Sequence, residues 1–338
     1  MNEDGASADR RFDRAALEEQ LAVLRPEITR HCYRMLGSPF DAEDAVQETM
    51  LRAWRGIGGF ERRAALRSWL YAIATNVCLE QLRQARRRAL PMDLADPSPG
   101  PGPLGTARAA DAWVQPIPDA RVLPADLDPA LITVERESIR LAFVAALQRL
   151  TPRQRAVLLL RDVLGWRARE VADLLGLTED SVNALLRRGR AAMPSRRPAA
   201  SETMLDGEQR ALLSRYISAF ERFDITALVG LLHDDATLSM PPYGLWLRGA
   251  PAVAAWLRAG EALCRDGALV PVEVNGGVGV AQYRRDAGGS GLRAFALQVV
   301  ETSAGRIDGL HVFLLPELFP LFGLAEKIPR PGRTATPA

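Results

Sequence analysis

Apolar positions recur at helical spacing early in the chain, give way to a proline-rich interval, return at helical spacing, and end in strand-like alternation. AALEEQLAVLRPEITRHCYRML and DAEDAVQETMLRAW carry the helix period, with Asp41 expected to cap the second run. LRSWLYAIATNVCLEQLRQARRR follows, with Leu70, Ile73, Val77 and Leu82 broadly along one face, and RGIGGFERRAA reads as the glycine-broken loop before it. From about residue 91 to residue 130 the text is dense in Pro, Gly and Asp, which predicts an acidic linker that sustains no helix. A second break, MPSRRPAASETMLDG, falls near residues 193 to 207. Three folded blocks are therefore expected, over residues 12–90, 131–193 and 207–322.

The first two blocks read as all-α. The third opens with helices at ALLSRYISAFERF, DITALVGLL and APAVAAWLRAGEAL. It then alternates as strands in ALVPVEVN, VGVAQYR, LRAFALQVVE and GRIDGLHVFLL, joined by the turn signals NGG, DAGGSG and SAG. Helices followed by an antiparallel meander predict an α+β domain. At 338 residues, two or three domains are expected, and a hydrophobic fraction of 48% allows real cores. No long uncharged apolar run and no signal-peptide order are present, so the expectation is a soluble, cytoplasmic protein. Cys32, Cys78 and Cys264 are isolated, as are His31, His233 and His311, which suggests neither a disulfide framework nor a metal site, and no cofactor is expected. The net charge of only +2 would argue against a nucleic-acid partner if charge were evenly spread, but basic residues cluster and the linker is acidic.

RDVLGWRAREVADLLGLTEDSVNALLRRGRAAM has the pattern of a helix-turn-helix. Val171, Ala172 and Leu175 form the contact face of its first helix, Gly176 the turn, and Val182, Leu185, Leu186 and Met193 the inward face of its second. Ser181, Asn183, Arg187, Arg188 and Arg190 are left facing outward, and Asn and Arg are the side chains that read adenine and guanine edges or grip phosphates. Arg83, Arg86, Arg87 and Arg88 are expected at a helix end. Phe60, Trp69 and Tyr71 near Arg62, Arg63 and Asn76 combine stacking surfaces, cations and an amide suited to single-stranded or melted DNA, although Trp69 or Tyr71 could equally belong to the core. Asp41, Asp44, Gln47 and Glu48, followed by Arg52 and Trp54, place acids where DNA would be repelled, which suggests a protein partner instead.

These motifs in this order resemble the extracytoplasmic-function sigma factors of bacterial RNA polymerase. HCYRMLGSPFDAEDAVQETMLRAWRGIGGF resembles the part of sigma region 2 that docks on the polymerase clamp, and RSWLYAIATNVCLEQLRQARRR the part that recognises and melts the −10 element. LTPRQRAVLLLRDVLGWRAREVADLLGLTEDSVNALLRRGRAAM resembles region 4, which reads the −35 element and packs on the flap. The resemblance implies clamp contacts from Asp41, Asp44, Gln47, Glu48, Arg52 and Trp54. It implies −10 contacts from Trp69, Asn76 and Arg83 to Arg88, and −35 contacts from Ser181, Asn183, Arg187, Arg188 and Arg190. Gly189 departs from the small alanine-like residue expected there. The linker would thread toward the active centre, with Asp111, Asp119, Asp126 and Asp128 as RNA mimics.

The third block resembles a SnoaL-like domain, a cone-shaped α+β fold with a pocket between sheet and helices, and WVQPIPDARV resembles the linker of sigma subgroups that carry one. His233, Asp234, Tyr243, Trp246 and His311 are the candidate pocket residues, with Asp235 beside them. A regulatory role for this domain, packed on the sigma core, is expected over catalysis. Two other readings stay open: a conventional helix-turn-helix regulator with a ligand-sensing domain, and an enzyme fused to a regulator.

Overall fold

The structure is a computed structural model that describes residues 14–56, 66–124, 128–193, 206–260, 267–286 and 291–330. Phe60, Arg62, Arg63 and Asp126 lie outside the described residues.

Three helices, α1 (Arg14–Leu36), α2 (Pro39–Gly56) and α3 (Leu66–Gln81), pack on one another. Ala42, Ala45, Val46, Thr49 and Ala53 form the buried stripe of α2 at helical spacing. Proline stands at the first position of α2 and Ser38 Oγ accepts the Asp41 N–H at 3.3 Å. The capping side chain is therefore Ser38, and Asp41 sits in the first turn rather than at the cap. Helix α3 stops at Gln81, so Arg83 to Arg88 follow it as a turn and an extended stretch instead of forming a helix end. The cause is tertiary: the Arg88 guanidinium is drawn inward to Asp41 Oδ2 (2.6 Å) and the Trp113 carbonyl (3.1 Å), and Ala89 pairs with Trp113.

The Pro-rich interval is not a free spacer. It forms 3-10 turns at Pro91–Asp93 and Ala110–Ala112 and a short helix, α4 (Asp119–Val122), and it buries Trp113, Val114, Ile117 and Val122 completely. Asp119 is also buried, whereas Asp111 and Asp128 are exposed. A helix was not expected there, and a buried Asp119 cannot act as a surface RNA mimic in this conformation.

The second helical unit comprises α5 (Pro129–Glu137), α6 (Leu141–Gln148), α7 (Pro152–Leu158), a π-helical turn at Leu159–Val163, α8 (Ala168–Leu175) and α9 (Glu179–Ala192). Thr151 and Gln154 cap α7 reciprocally.

Helices α10 (Asp206–Glu221) and α11 (Ile225–Gly230) open the last unit. Strands β1 (Leu232–Ser239) and β2 (Trp246–Arg248), helix α12 (Ala250–Ala259) and strands β3 (Ala268–Val274), β4 (Gly277–Arg285), β5 (Leu292–Ser303) and β6 (Arg306–Phe313) follow. A 3-10 segment at Pro316–Phe322 leads to β7 (Lys327–Ile328). The sheet order is β2-β1-β6-β5-β4-β3, with β7 pairing β5; neighbours are antiparallel except β1 and β6. Strands β1 and β2 were not expected, and His233, Asp234 and Asp235 lie in β1 rather than in a turn after a helix.

One face of the sheet, with Val280, Val300 and Leu310, packs with Leu212, Tyr216, Leu228 and Val253 from the three helices of this α+β unit. The other, with Ala281, Leu297, Val299 and Phe313, joins a core continuous with α1 to α3, the Pro-rich interval and α5 to α9. The sheet is thus a shared wall, and burial on both faces holds it in place.

Candidate nucleic-acid and polymerase interfaces

Gly176 ends α8 in the left-handed region (φ 62°), and Thr178 caps α9, its Oγ1 accepting the Ser181 N–H at 3.2 Å. Val171, Ala172, Val182, Leu186 and Gly189 are buried between the helices, and Leu175, Leu185 and Met193 are partly buried. Ser181, Asn183, Arg187, Arg188 and Arg190 are all exposed, but not equivalent. Ser181 shares a hydrogen bond with the capping hydroxyl (2.8 Å), and Arg188 Nε donates to the Ala184 carbonyl (3.3 Å). Arg190, at the far end of α9, donates in bidentate fashion to Asp162 of the π-helical turn (2.8 and 2.6 Å). That fork braces α9 against α7's continuation, whereas Asn183 and Arg187 stand exposed nearer the helix start.

On α3, Asn76 is exposed, Trp69 half-buried beside Gly56, and Tyr71 buried. Tyr71 packs edge-on to His31 and donates to Glu27 (3.2 Å), and burial pushes its hydroxyl up to about 12, so it belongs to the core. Arg83, Arg86 and Arg87 are exposed, whereas Arg88 is spent on Asp41 and the Trp113 carbonyl. Asn76, Leu79, Glu80, Leu82 and Arg83 face Thr151, Pro152, Arg153, Leu175 and Leu185 across a cleft of about 480 Å³.

The acidic helix α2 divides similarly. Asp41 is paired with Arg88, and Arg52 bridges Glu48 (2.7 Å) and both Glu80 oxygens (3.0 and 2.8 Å), tying α2 to α3. Trp54 is half-buried. Asp44 and Gln47 are exposed, and exposed Phe40 and Leu51 complete one stripe with them at i, i+4, i+7 and i+11. The two apolar members escaped the sequence reading, although their spacing was there to be seen.

The candidate pocket residues do not form one cluster: Trp246 and His311 flank Ser239 on the strands either side of β1, but His233 and Asp234 are remote from them. His233 pairs with Asp235 (2.9 Å) near the start of β1, whereas His311 lies buried beside Ser239 at its other end, roughly 20 Å along the strand. Trp246 is covered by the Pro-rich interval, its Nε1 donating to the Ala95 carbonyl (2.8 Å). Asp234 is exposed and Tyr243 half-buried. Around His311 the structure instead builds an internal contact, with Ser239 Oγ on Nδ1 (2.9 Å) and Glu301 Oε2 3.4 Å from Nε2. Burial works to raise the Glu301 carboxyl, but His311, Arg140 and the Ala142 N–H at the start of α6 together hold it below its ordinary value.

The densest polar joint was missed entirely. Asn275 (φ 52°) and Gly276 (φ 71°) form the tip of the β3–β4 hairpin, and Asn275 is buried. Its Nδ2 donates to Tyr33 of α1 (2.8 Å) and to the Ile139 carbonyl (2.7 Å), and its Oδ1 accepts from Ile117 N–H (3.1 Å). Gly276 N–H donates to Asp119 (2.8 Å), and a methyl group on Gly276 would stand 2.5 Å from the Arg136 carbonyl oxygen. Burial pushes the Asp119 carboxyl up to about 6. Alongside, buried Arg155 of α7 donates to Leu147 (2.9 Å), Leu150 (3.2 Å) and Met35, the last lying in α1.

Residues 22–88 match the family model for Sigma-70 region 2, and residues 140–193 that for Sigma-70, region 4. ECF RNA polymerase sigma factor SigG of Mycobacterium tuberculosis (strain ATCC 25618 / H37Rv) is 45% identical over 325 residues, which span 95% of this chain and 86% of SigG. The chain belongs to the ECF sigma factors. The crystal structure of the M. tuberculosis ECF sigma factor SigJ shares the fold, with a TM-score of 0.61 at 23% identity over 91% of this chain and all of that one. In this sigma factor, region 2 is therefore α1 to α3, region 4 includes the helix-turn-helix, and the α+β unit meets both through one face of its sheet, with the β3–β4 hairpin bonded to Tyr33 of α1 and to Ile139 just before region 4.

Proposed function

We propose that this sigma factor directs core RNA polymerase to promoters through two DNA surfaces, and that its C-terminal domain holds them in a closed form that opens on polymerase. Asn76, Trp69, Arg83, Arg86 and Arg87 face the −10 element, and Asn183, Arg187, Arg188 and Ser181 the −35 element. The stripe of Phe40, Asp44, Gln47 and Leu51 meets the clamp, and region 4 the flap. Arg88, Asp41, Glu48, Arg52 and Arg190 act through internal pairs, and Trp54 from its half-buried position on α2.

One observation carries the closed form. The −10 and −35 elements lie about 25 base pairs apart, roughly 85 Å of duplex at about 3.4 Å per pair. Here Asn76 and Arg83 share one cleft with Leu185 of the recognition helix. The two surfaces cannot reach both elements until that cleft opens. The Asn275 joint, which bonds region 2, the linker and region 4 at once, resists the opening. His233 and His311 stand too far apart to share a proton transfer, which supports a regulatory and non-catalytic C-terminal domain. No helix among the described residues is long and apolar enough to cross a membrane, in keeping with work beside cytoplasmic polymerase.

Run-off transcription tests the reading. The full chain with core polymerase should yield transcript from promoters selected out of a random library, and Arg187→Gln with Arg188→Gln should weaken −35 binding and lower its salt exponent by about 0.9 per lost phosphate contact. A chain that binds duplex specifically yet fails to capture core polymerase would be a conventional helix-turn-helix regulator instead.

A further inference from the structure

At the end of the sheet remote from the Asn275 joint, Arg284, Arg293 and Lys327 are register partners on three adjacent strands, Arg284 opposite Arg293 and Arg293 opposite Lys327. All three are exposed, and register partners share a face. Strand spacing of about 4.8 Å makes this a row of cations roughly 10 Å across. It stands on the same face as Gln282, which is linked through Gln298 to Tyr216 of α10, but beyond the cover of the helices. Like charges directly opposite one another destabilise a sheet. Relief inside the chain is partial: Lys327 pairs with Asp286 (2.9 Å), and the Arg284 guanidinium lies 4.3 Å from the Phe295 ring centroid. Arg293, the middle member, has no ion-pair partner among the described residues.

We propose that this row is a docking surface for the phosphate backbone of duplex DNA upstream of the −35 element. Three features commit it to that partner. The row is cationic, and it is narrow enough to meet two or three phosphates at about 3.4 Å of rise per nucleotide. It belongs to a unit joined to region 4 at Arg140 and Ala142 and to the helix just before it at Arg136 and Ile139. From Gly277, at that contact, strand β4 runs seven residues to Arg284, about 23 Å, or roughly seven base pairs of duplex. A grip at that distance adds affinity without reading bases. The placement rests on the reading of α9 as the −35 reader.

The test uses the full chain and its holoenzyme. The triple variant Arg284→Gln, Arg293→Gln, Lys327→Gln should lower the salt exponent for a random-sequence duplex by up to about 2.7, so that raising salt fourfold weakens it about 40-fold less than wild type. In the holoenzyme the same loss should appear on a selected promoter fragment extended about 30 base pairs upstream, roughly 100 Å at about 3.4 Å per pair, and vanish on one ending at the −35 element. Arg293→Gln alone relieves repulsion, so it should fold at least as stably as wild type and still lose about 0.9 of the exponent. Wild-type exponents for both variants on the random duplex would overturn the proposal. So would an equal loss on short and long promoter fragments, or a loss of core-polymerase affinity with the exponent unchanged, which would make the partner an acidic protein surface. Failure to select any promoter, with the random-duplex loss intact, would sink the −35 reading while leaving the phosphate grip standing.

Discussion

Replacing Asn275 is the sharpest way to ask whether the C-terminal domain restrains the sigma core. The side chain makes three hydrogen bonds in a buried setting, to Tyr33, Ile139 and Ile117. In Asn275→Ala the Ile117 N–H and Ile139 carbonyl lose these partners, while Tyr33 still donates to the Gln115 carbonyl (2.8 Å). Two orphaned groups at about 1–3 kcal/mol each give roughly 2 kcal/mol at the low end, while the cost of about 1 kcal/mol for alanine at positive φ falls on the hairpin in both forms. That shifts the closed-to-open ratio by about 30-fold. Asn275→Gly loses the same bonds without the backbone cost, so the two variants separate the amide from the turn. With core polymerase, both should initiate run-off transcription faster than wild type, and small-angle scattering of the free chain should show a larger radius of gyration. If both variants unfold more easily yet keep the wild-type rate and radius, Asn275 is an ordinary core stabiliser and the latch reasoning is wrong.

Gly189 sits in the interior of α9, where an added methyl group would meet Leu158 Cδ1 at 3.6 Å, an ordinary contact. Gly189→Ala should therefore raise the stability of the full chain by about 1 kcal/mol in urea unfolding, with −35 binding retained. Asp119 makes the joint pH-dependent: its carboxyl is raised to about 6 in the closed form, so its protonated form favours closure. Closure should be strongest below about pH 4 and should lose roughly 2–3 kcal/mol as pH rises through 6. Asp119→Asn should flatten that profile when the radius is followed from pH 5 to 8, and an unchanged slope would refute the assignment.

The parts legible in the sequence are those fixed by local chemistry. Gly176 had to supply the turn, and NGG announced a hairpin between two apolar runs. Strand β1 was hidden because His233, Asp234 and Asp235 interrupt its alternation where the strand begins, leaving only Ala236, Leu238 and Ser239 buried behind them. The linker misled for the opposite reason. Its prolines and aspartates read as solvated, yet Trp113, Val114 and Ile117 were apolar enough to seek a core. Arg88 was drawn out of the exposed arginine run by Asp41, 47 residues away, and Asn275 meets Ile117 across 158 residues. No local window contains such pairs.

The shared wall of the sheet also sets an order of events during synthesis. Regions 2 and 4 leave the ribosome complete at Met193, but Asn275 follows about 80 residues later, a delay of roughly 4 to 16 s at about 5–20 residues per second. Until then the apolar flank of both regions that will meet Leu297, Val299 and Phe313 has no cover. If the closed form is the restrained one proposed above, then for those seconds the nascent chain is a sigma core without its restraint, open to a free polymerase before its own C-terminus arrives.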